Sequence, residues 1–299
     1  MGLRKDPLGF FCLALTYGIV IFSDYCFIVH TVMPVLSASL WGSFHIIVFN
    51  VFVFLLVYSH FVATTADPGF VPLPTIKLDF SDQRMQGAIK TPQGSEWSLC
   101  TKCETYRPPR AHHCRTCSRC IRKMDHHCPW INNCVGECNQ KYFILFLLYT
   151  AMASVYAIIF CIVLFMAKCD NCDENSPRHV HIIFSTILIT FAFVFALFTI
   201  LILYDQITSI LTDITSVEYV KKENRSRILK SKMALLSEVF GRGMEQTYTK
   251  LQCLDYIAIF TSFLLLKLVL FCNCDRKLLD LATSILWGFR FYNGNKYHV

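Results

Sequence analysis

Apolar and polar residues are segregated along this chain into long blocks instead of alternating at short range. Four apolar blocks, residues 8–29, 40–64, 142–166 and 182–204, stand out. Each is long enough to cross a hydrocarbon core, which takes about 20 consecutive apolar residues in a helix. The last three contain no Asp, Glu, Lys or Arg, and the first is interrupted only by Asp24. An ionisable side chain at membrane depth faces the bundle interior or a cavity. Asp24 is therefore expected there, or in a packing or capping role at the membrane edge. The pattern predicts four transmembrane helices with a long polar segment, residues 65–141, between the second and third. Composition agrees: 54% hydrophobic and 16% charged residues exclude an ordinary soluble globular domain.

Charge adds an orientation. Lys77, Arg84, Lys90, Lys102, Arg107, Arg110, Arg115, Arg119, Arg122, Lys123 and Lys141 all lie in the 65–141 segment, whereas residues 31–39 carry no basic side chain. Basic loops stay on the cytoplasmic side, so this segment is expected to face the cytoplasm. Arg4 and Lys5 place the N-terminus on the same side, and Lys221, Lys222, Arg225, Arg227, Lys230 and Lys232 do so for the region after the fourth span. The net charge of +7 then suits anionic headgroups or a phosphorylated ligand. A nucleic-acid partner is not expected, because no nucleic-acid-binding motif accompanies the charge. The first apolar run is too long for the h-region of a cleavable signal peptide and is expected to remain as span 1.

Candidate chemistry is concentrated in one place. Eight of the sixteen cysteines lie between Cys100 and Phe143. Seven of them form a spaced pattern: Cys100-xx-Cys103, His113-Cys114-xx-Cys117-xx-Cys120, Asp125-His126-His127-Cys128, and Cys134. In a reducing compartment, clustered cysteines bind metal more often than they form disulfides. Structural zinc takes four Cys or His ligands, and a CxxC pair supplies two from one turn. Cys100/Cys103 and Cys114/Cys117 are such pairs, with Cys120, Cys134, His112, His113, His126 and His127 available to complete them. Two four-ligand sites leave some of these residues over, and spacing does not say which. Cys128 is the strongest candidate for a spare, functional thiol, since it directly follows an acid and two imidazoles. A neighbouring imidazole converts a thiol to a nucleophilic thiolate, and an acid holds the imidazole in the useful tautomer. On spacing alone, Cys128 and both histidines could equally all be metal ligands.

The whole run, with Asn139 and Phe143 closing it, resembles the cysteine-rich domain of the DHHC protein S-acyltransferases. Asp67-Pro68-Gly69 after span 2 is similar to that family's DPG motif. Thr215-Ser216-Val217-Glu218 after span 4 is similar to its TTxE motif, with Ser216 keeping a hydroxyl for any hydrogen bond toward Asp125. Residues 218–241, ending in Val239-Phe240-Gly241, are similar to the Golgi-type members. The resemblance covers roughly residues 8–243.

The resemblance implies an all-α integral membrane fold with four transmembrane helices and a cytoplasmic zinc-binding cysteine-rich domain, about residues 98–143, between spans 2 and 3. It implies one structural zinc ion on Cys100, Cys103, His113 and Cys120 and a second on Cys114, Cys117, His127 and Cys134. Cys128 is then left as the nucleophile that takes palmitoyl from acyl-CoA and passes it to a cysteine of a membrane-associated substrate protein. His126 is implied as general base and Asp125 as the group that orients it. By the same resemblance, Arg107 and Arg110 face the CoA phosphates, Trp130 lies near the acyl thioester, and Ala153 sits at the end of the acyl cavity, where a small residue favours long chains. A Golgi membrane location is implied in the same way. The alternative is a non-catalytic membrane zinc scaffold, for instance an adaptor or a RING-like ligase, with Cys128 structural.

The domain organisation expected is spans 1 and 2 over residues 1–64, the cytoplasmic region over 65–141, spans 3 and 4 over 142–204, the TSVE-containing segment over 205–243 and a divergent tail over 244–299. Within that tail residues 256–272 are apolar but short and contain Lys267, which fits a marginal fifth span or an interfacial helix. Gly2 lacks the Ser or Thr that completes a myristoylation signal, Asp6 standing there instead. Cys169 and Cys172 form a further CxxC in the expected lumenal loop, and Asn224-Arg225-Ser226 is a glycosylation pattern on the unsuitable side of the membrane.

Overall fold

A computed structural model describes residues 6–36, 39–73, 89–90, 96–166, 178–222 and 230–241 of the chain. Gly2, Cys169, Cys172, Asn224 and the tail over 244–299, with its 256–272 stretch, lie outside the described residues.

Among the described residues, four helices are long and apolar enough to span a membrane. The first is continuous from Pro7 to Leu36 and is built of α1 (Pro7–Tyr25), a π-helical stretch (Cys26–Val32) and α2 (Met33–Leu36). The others are α3 (Leu40–Thr65), α4 (Gln140–Met166) and α5 (Arg178–Thr212). Helix starts follow their capping residues. Asp6 accepts from the Leu8 N–H with Pro7 in the first turn, and Ser39 accepts from the Trp41 N–H. Helix α5 outruns its apolar block at both ends, reaching 35 residues or roughly 50 Å. Its last turns carry Gln206 and Ser209 and are held by packing, which hydropathy does not register. Asp24 is buried, as an ionisable group at this depth must be.

Lipid-facing apolar side chains such as Phe11, Phe165, Phe193 and Leu201 are exposed. The interior is held by aromatic packing, with Phe27 of the π-helical stretch stacked on Phe49 of α3 at 4.0 Å between ring centroids.

Between α3 and α4 the chain forms small antiparallel β-structures in place of helix. Strands β1 (Ile89–Lys90), β2 (Glu96–Cys100) and β3 (Thr105–Arg107) form one sheet in that order. Strands β4 (His112–Cys114) and β5 (Arg119–Ile121) form a hairpin, as do β6 (His126–Cys128) and β7 (Asn133–Val135). Within the last hairpin a 3-10 turn, Pro129–Ile131, ends at Asn132 in the left-handed region. Helices α6 (Ser216–Val220) and α7 (Lys232–Phe240) follow span 4. Leu235, Leu236, Val239 and Phe240 of α7 pack on Ile144 and Ile210, so α7 is docked against the ends of α4 and α5.

The Asp67-Pro68-Gly69 motif joins α3 to this β-region. The Asp67 carboxylate accepts from the N–H groups of Gly69 and Phe70, both at 2.8 Å, in an Asx turn. Gly69 has φ +104°, a conformation only glycine adopts without strain. The turn lets Arg122 N donate to Gly69 O and Val71 N donate to Cys120 O, each at 2.8 Å, so β5 is bonded to the segment leaving span 2.

Candidate active site

The hairpin geometry sorts the ligands that spacing left open. The two residues of each CxxC pair lie on one turn, and strand pairing sets His113 opposite Cys120 and His127 opposite Cys134. Two groups result, Cys100/Cys103/His113/Cys120 and Cys114/Cys117/His127/Cys134, each with its donor atoms within 4.8 Å of one another. In the first, His113 Nδ1 lies 3.1 Å from Cys103 Sγ and 3.7 Å from Cys100 Sγ. In the second, His127 Nδ1 lies 3.7, 3.5 and 3.4 Å from the sulfurs of Cys114, Cys117 and Cys134. A tetrahedral zinc with Zn–S near 2.3 Å and Zn–N near 2.0 Å has ligand–ligand edges of about 3.5–3.8 Å, which the second group matches closely, while the first spreads around that range from 3.1 Å at Cys103 to 4.0 Å at Cys120.

Electrostatics supports the same fit. Hydrogen bonds with Cys117 and Cys134 drive the Cys114 thiol far down, and those with Cys114 and Cys117 drive Cys134 far up. Three crowded sulfurs cannot share ionisation without a cation among them. Cys128 belongs to neither group.

Cys128 ends β6, buried in an apolar cluster with Leu56, Ala63, Ile131, Val135, Phe143 and Leu147. Asp125 and His126 precede it. Asp125 Oδ2 is 2.7 Å from His126 Nδ1. A carboxylate only accepts, so Nδ1 carries the hydrogen and Nε2 is left to serve the Cys128 sulfur. Burial alone would push the Asp125 carboxyl up, but the bonds and charge of His126, the Ser216 N–H and the Gln206 amide hold it down at about 2. Burial works against a charged His126, yet Asp125 and Cys128 raise its imidazole to about 9. At neutral pH this is an imidazolium held between a carboxylate and a sulfur.

The Asp125 carboxylate has two further partners. Ser216 donates its backbone N–H to Oδ1 at 2.7 Å, so the contact expected of the Ser216 hydroxyl is made by the main chain and is independent of that side chain. Gln206, buried on α5, donates Nε2 to Oδ2 at 2.8 Å. Sequence reasoning missed Gln206. Its signal was an amide on the inner face of a helix just past its apolar block.

Arg110 is placed otherwise than expected. Its guanidinium donates from Nε and Nη2 to Glu218 at 2.7 and 3.0 Å, and from Nη1 and Nη2 to the Asp213 side chain and carbonyl at 2.7 and 2.9 Å. Those four bonds occupy four of the five guanidinium N–H groups. Glu218 also closes a capping box on α6, accepting from the Thr215 N–H while Thr215 Oγ1 accepts from the Glu218 N–H. Arg110 thus clamps the cysteine-rich region to the segment that presents the Ser216 N–H to Asp125. Among the described residues Arg107 makes one side-chain bond, from Nε to Ser98 Oγ at 3.0 Å.

The loop carrying Cys128 is anchored to span 2 by residues whose roles were also unread in the sequence. Asn133 Nδ2 donates to the carbonyls of Ala63, Thr64 and Ala66 at 3.1, 3.2 and 2.9 Å, and Asn139 Nδ2 to those of Ala63 and Cys134 at 3.3 and 2.7 Å. These amides satisfy the carbonyls that a helix C-terminus leaves without partners. His60, fully buried on α3, donates Nε2 to the Trp130 carbonyl at 3.0 Å and accepts at Nδ1 from the Tyr17 hydroxyl at 3.0 Å.

Above this anchored loop lies an apolar cavity of about 950 Å³, counting the space open at its side. Cys128 and Trp130 line one end, and Ala153, Ala157 and Leu188 line it further along the helices. Along α4, Phe143 to Ala157 covers roughly 21 Å at 1.5 Å per residue, about the reach of a palmitoyl chain. Hydroxyls in the wall are quenched by their own helices: Thr16, Thr150 and Thr199 donate to the carbonyls of Cys12, Phe146 and Phe195 at 2.8, 2.7 and 2.6 Å.

Comparison with known proteins agrees with this arrangement. Residues 93–223 match the family model described as DHHC palmitoyltransferase. The chain is 39% identical over 242 residues to Palmitoyltransferase ZDHHC3 of Rattus norvegicus, covering 79% of this chain and 78% of that protein. It is 35% identical over 242 residues to Palmitoyltransferase ZDHHC7 of Mus musculus, covering 79% and 76%. It is 33% identical over 247 residues to Probable protein S-acyltransferase 12 of Arabidopsis thaliana, covering 79% and 84%.

Proposed function

The chain belongs to the DHHC palmitoyltransferase family and is a multi-pass membrane protein S-acyltransferase, and from that premise we propose that Cys128 carries the acyl group between acyl-CoA and substrate protein. The observation that carries the proposal is the position of Cys128. It stands outside both ligand groups, at the end of an apolar cavity, next to an imidazole held by Asp125.

In the first step the Cys128 sulfur attacks the thioester carbonyl of a long-chain acyl-CoA. A carbon–sulfur bond forms to Cys128, the bond to CoA breaks, and the proton that His126 already holds, taken from Cys128 beforehand, passes to the departing CoA thiolate. In the second step a thiol of the substrate protein attacks the Cys128 thioester. Its proton passes to His126, which gave one up in the first step, and Cys128 departs with the electron pair, restoring the enzyme. Asp125 keeps His126 in one tautomer and one orientation throughout. Gln206 and the Ser216 N–H hold Asp125 in turn.

Each Cys/His group holds one zinc ion, whose role is to fix the hairpins that present Cys128. The acyl chain lies in the cavity with its thioester beside Trp130 and its far end toward Ala153. Keeping such a chain out of water is worth about 0.8 kcal/mol per CH2, which is the physical reason for placing a thiol at the membrane boundary. The CoA phosphates face basic side chains on the cytoplasmic surface. Arg107 is the first of these, since the guanidinium of Arg110 is already engaged. Substrate proteins are membrane-associated and present a cysteine at this surface. The distribution of Lys and Arg supports a cytoplasmic N-terminus and cysteine-rich region, and the resemblance to Golgi-type members supports a Golgi membrane location.

The test is Cys128→Ser in the purified full chain. It is expected to keep two zinc ions per molecule, lose hydroxylamine-sensitive labelling by a palmitoyl-CoA analogue, and stop releasing CoA. Loss of zinc with labelling retained elsewhere would make Cys128 structural.

A further inference from the structure

We infer that Asp6, ahead of the first span, is a positioning residue for the second Cys/His group. It would hold the ligand His127 from outside and tie span 1 to the loop that carries Cys128. The inference rests on the reading above in which that group binds zinc.

His127 turns Nδ1 toward the three sulfurs, which leaves Nε2 facing away from them. Asp6 Oδ2 lies 3.4 Å from that nitrogen, and both side chains are largely buried, at 14% and 13% exposure. With Nδ1 given to a metal, Nε2 must carry the hydrogen, and only an acceptor can face it. A carboxylate in that position fixes the ring orientation and makes the ligating nitrogen more basic.

The other Asp6 oxygen is committed elsewhere. Oδ1 accepts from the Leu8 N–H at 3.2 Å and caps α1, while the Asp6 carbonyl accepts from Phe10 N at 3.0 Å. One residue therefore both starts span 1 and orients a ligand 121 positions away in sequence. The next turn strengthens the join. A Cβ added to Gly9 would lie 2.6 Å from Asn132 Cγ, so α1 meets the turn just after Cys128 so closely that a larger residue at position 9 would force the Asn132 side chain to shift. Span 1 is thus docked on the nucleophile's loop twice, by a polar contact at Asp6 and a steric one at Gly9. A shift of His127 would move β6, whose last residue is Cys128.

The experiment measures release of zinc from the purified full chain to a chromogenic chelator, with total zinc determined beforehand. Asn and Ser both cap helices well, so Asp6→Asn and Asp6→Ser retain the start of span 1. Asn cannot offer oxygen to both Leu8 N–H and His127 N–H, whereas Ser leaves the ring without a partner. Both variants are expected to lose their first zinc equivalent roughly 10- to 100-fold faster than the parent, Asn the faster of the two. On a His127→Cys background, where the ligand has no N–H to hold, the Asp6 substitutions are expected to change nothing further. Should His127→Cys fail to load zinc, the Asn, Ser, parent ordering decides alone. Release from Asp6→Asn at the parent rate, or equal acceleration in both backgrounds, overturns the role of Asp6 and leaves the zinc reading intact. A parent protein with a folded bundle and fewer than two zinc ions overturns the zinc reading itself, and this inference with it.

Discussion

Asp125 and His126, proposed to serve Cys128, are held by a short chain of hydrogen bonds that sets the charge on the imidazole. His126 is raised to about 9 from 6.5, so its contribution to stability is complete below pH 6.5 and is lost as pH climbs through about 9. Asp125, lowered to about 2 from 3.8, contributes oppositely: present above pH 3.8 and lost as pH falls through about 2. Single-turnover CoA release is therefore expected to fall on the alkaline side near pH 9. In Asp125→Asn, which removes the charge that holds the imidazolium, that limb is expected to move to lower pH. A limb that stays in place would mean that Asp125 does not set the His126 proton. Gln206→Leu removes a bond to a buried carboxylate, a loss of about 1.5–3 kcal/mol. A drop in kcat of about 10-fold or more, with KM for acyl-CoA unchanged, is the expected result in steady-state kinetics. Arg110→Ala breaks a partly buried ion clamp and is expected to lower stability, read as a lower melting temperature, chiefly because it leaves the buried Glu218 carboxylate without its charge partner. Because Glu218 is its partner, Arg110→Ala and Glu218→Ala are expected to be strongly non-additive in a thermal-unfolding double-mutant cycle.

Among the elements, the helices supply the cavity and the hairpins supply the thiol. Ala153 leaves room partway along α4, so Ala153→Phe is expected to lower transfer of palmitoyl and spare medium-length acyl groups, as competition between acyl-CoAs of different length would show. At the seam between hairpin and span, a Cβ on Gly136 would meet the Pro68 carbonyl and lie 2.6 Å from Ile121 Cγ2. Gly136→Ala is expected to destabilise the protein by about 1–3 kcal/mol, read as a lower melting temperature. The spans were legible in the sequence because twenty or more apolar residues have few other uses. The two ligand groups were legible only with the family resemblance, since spacing alone left both histidines and Cys128 eligible. Arg110 was expected at the CoA phosphates by resemblance, and its partners in the structure could not be read from the sequence because they lie more than 100 residues away. Asn133, His60 and Gln206 were silent for a related reason. A lone polar residue in or beside an apolar run says that it is satisfied, without saying by what.

At the scale of the molecule, every described element around Cys128 is bonded to another that reaches it from a different part of the sequence. Span 2 is tied through Asn133, Asn139 and His60, span 4 through Gln206, and α6 through Ser216 and Arg110. The ligand groups are threaded through one another as well. Chain order runs Cys100, Cys103 and His113 of the first, then Cys114 and Cys117 of the second, then Cys120 of the first, then His127 and Cys134 of the second. His113 and Cys114 are neighbours on β4 and serve different groups. Neither can come apart without dragging a strand of the other. Starving such a protein of metal should not yield a population of sluggish catalysts. It should yield fewer competent molecules, each working at full speed, so that activity divided by the fraction carrying both ions stays constant as a chelator is titrated in.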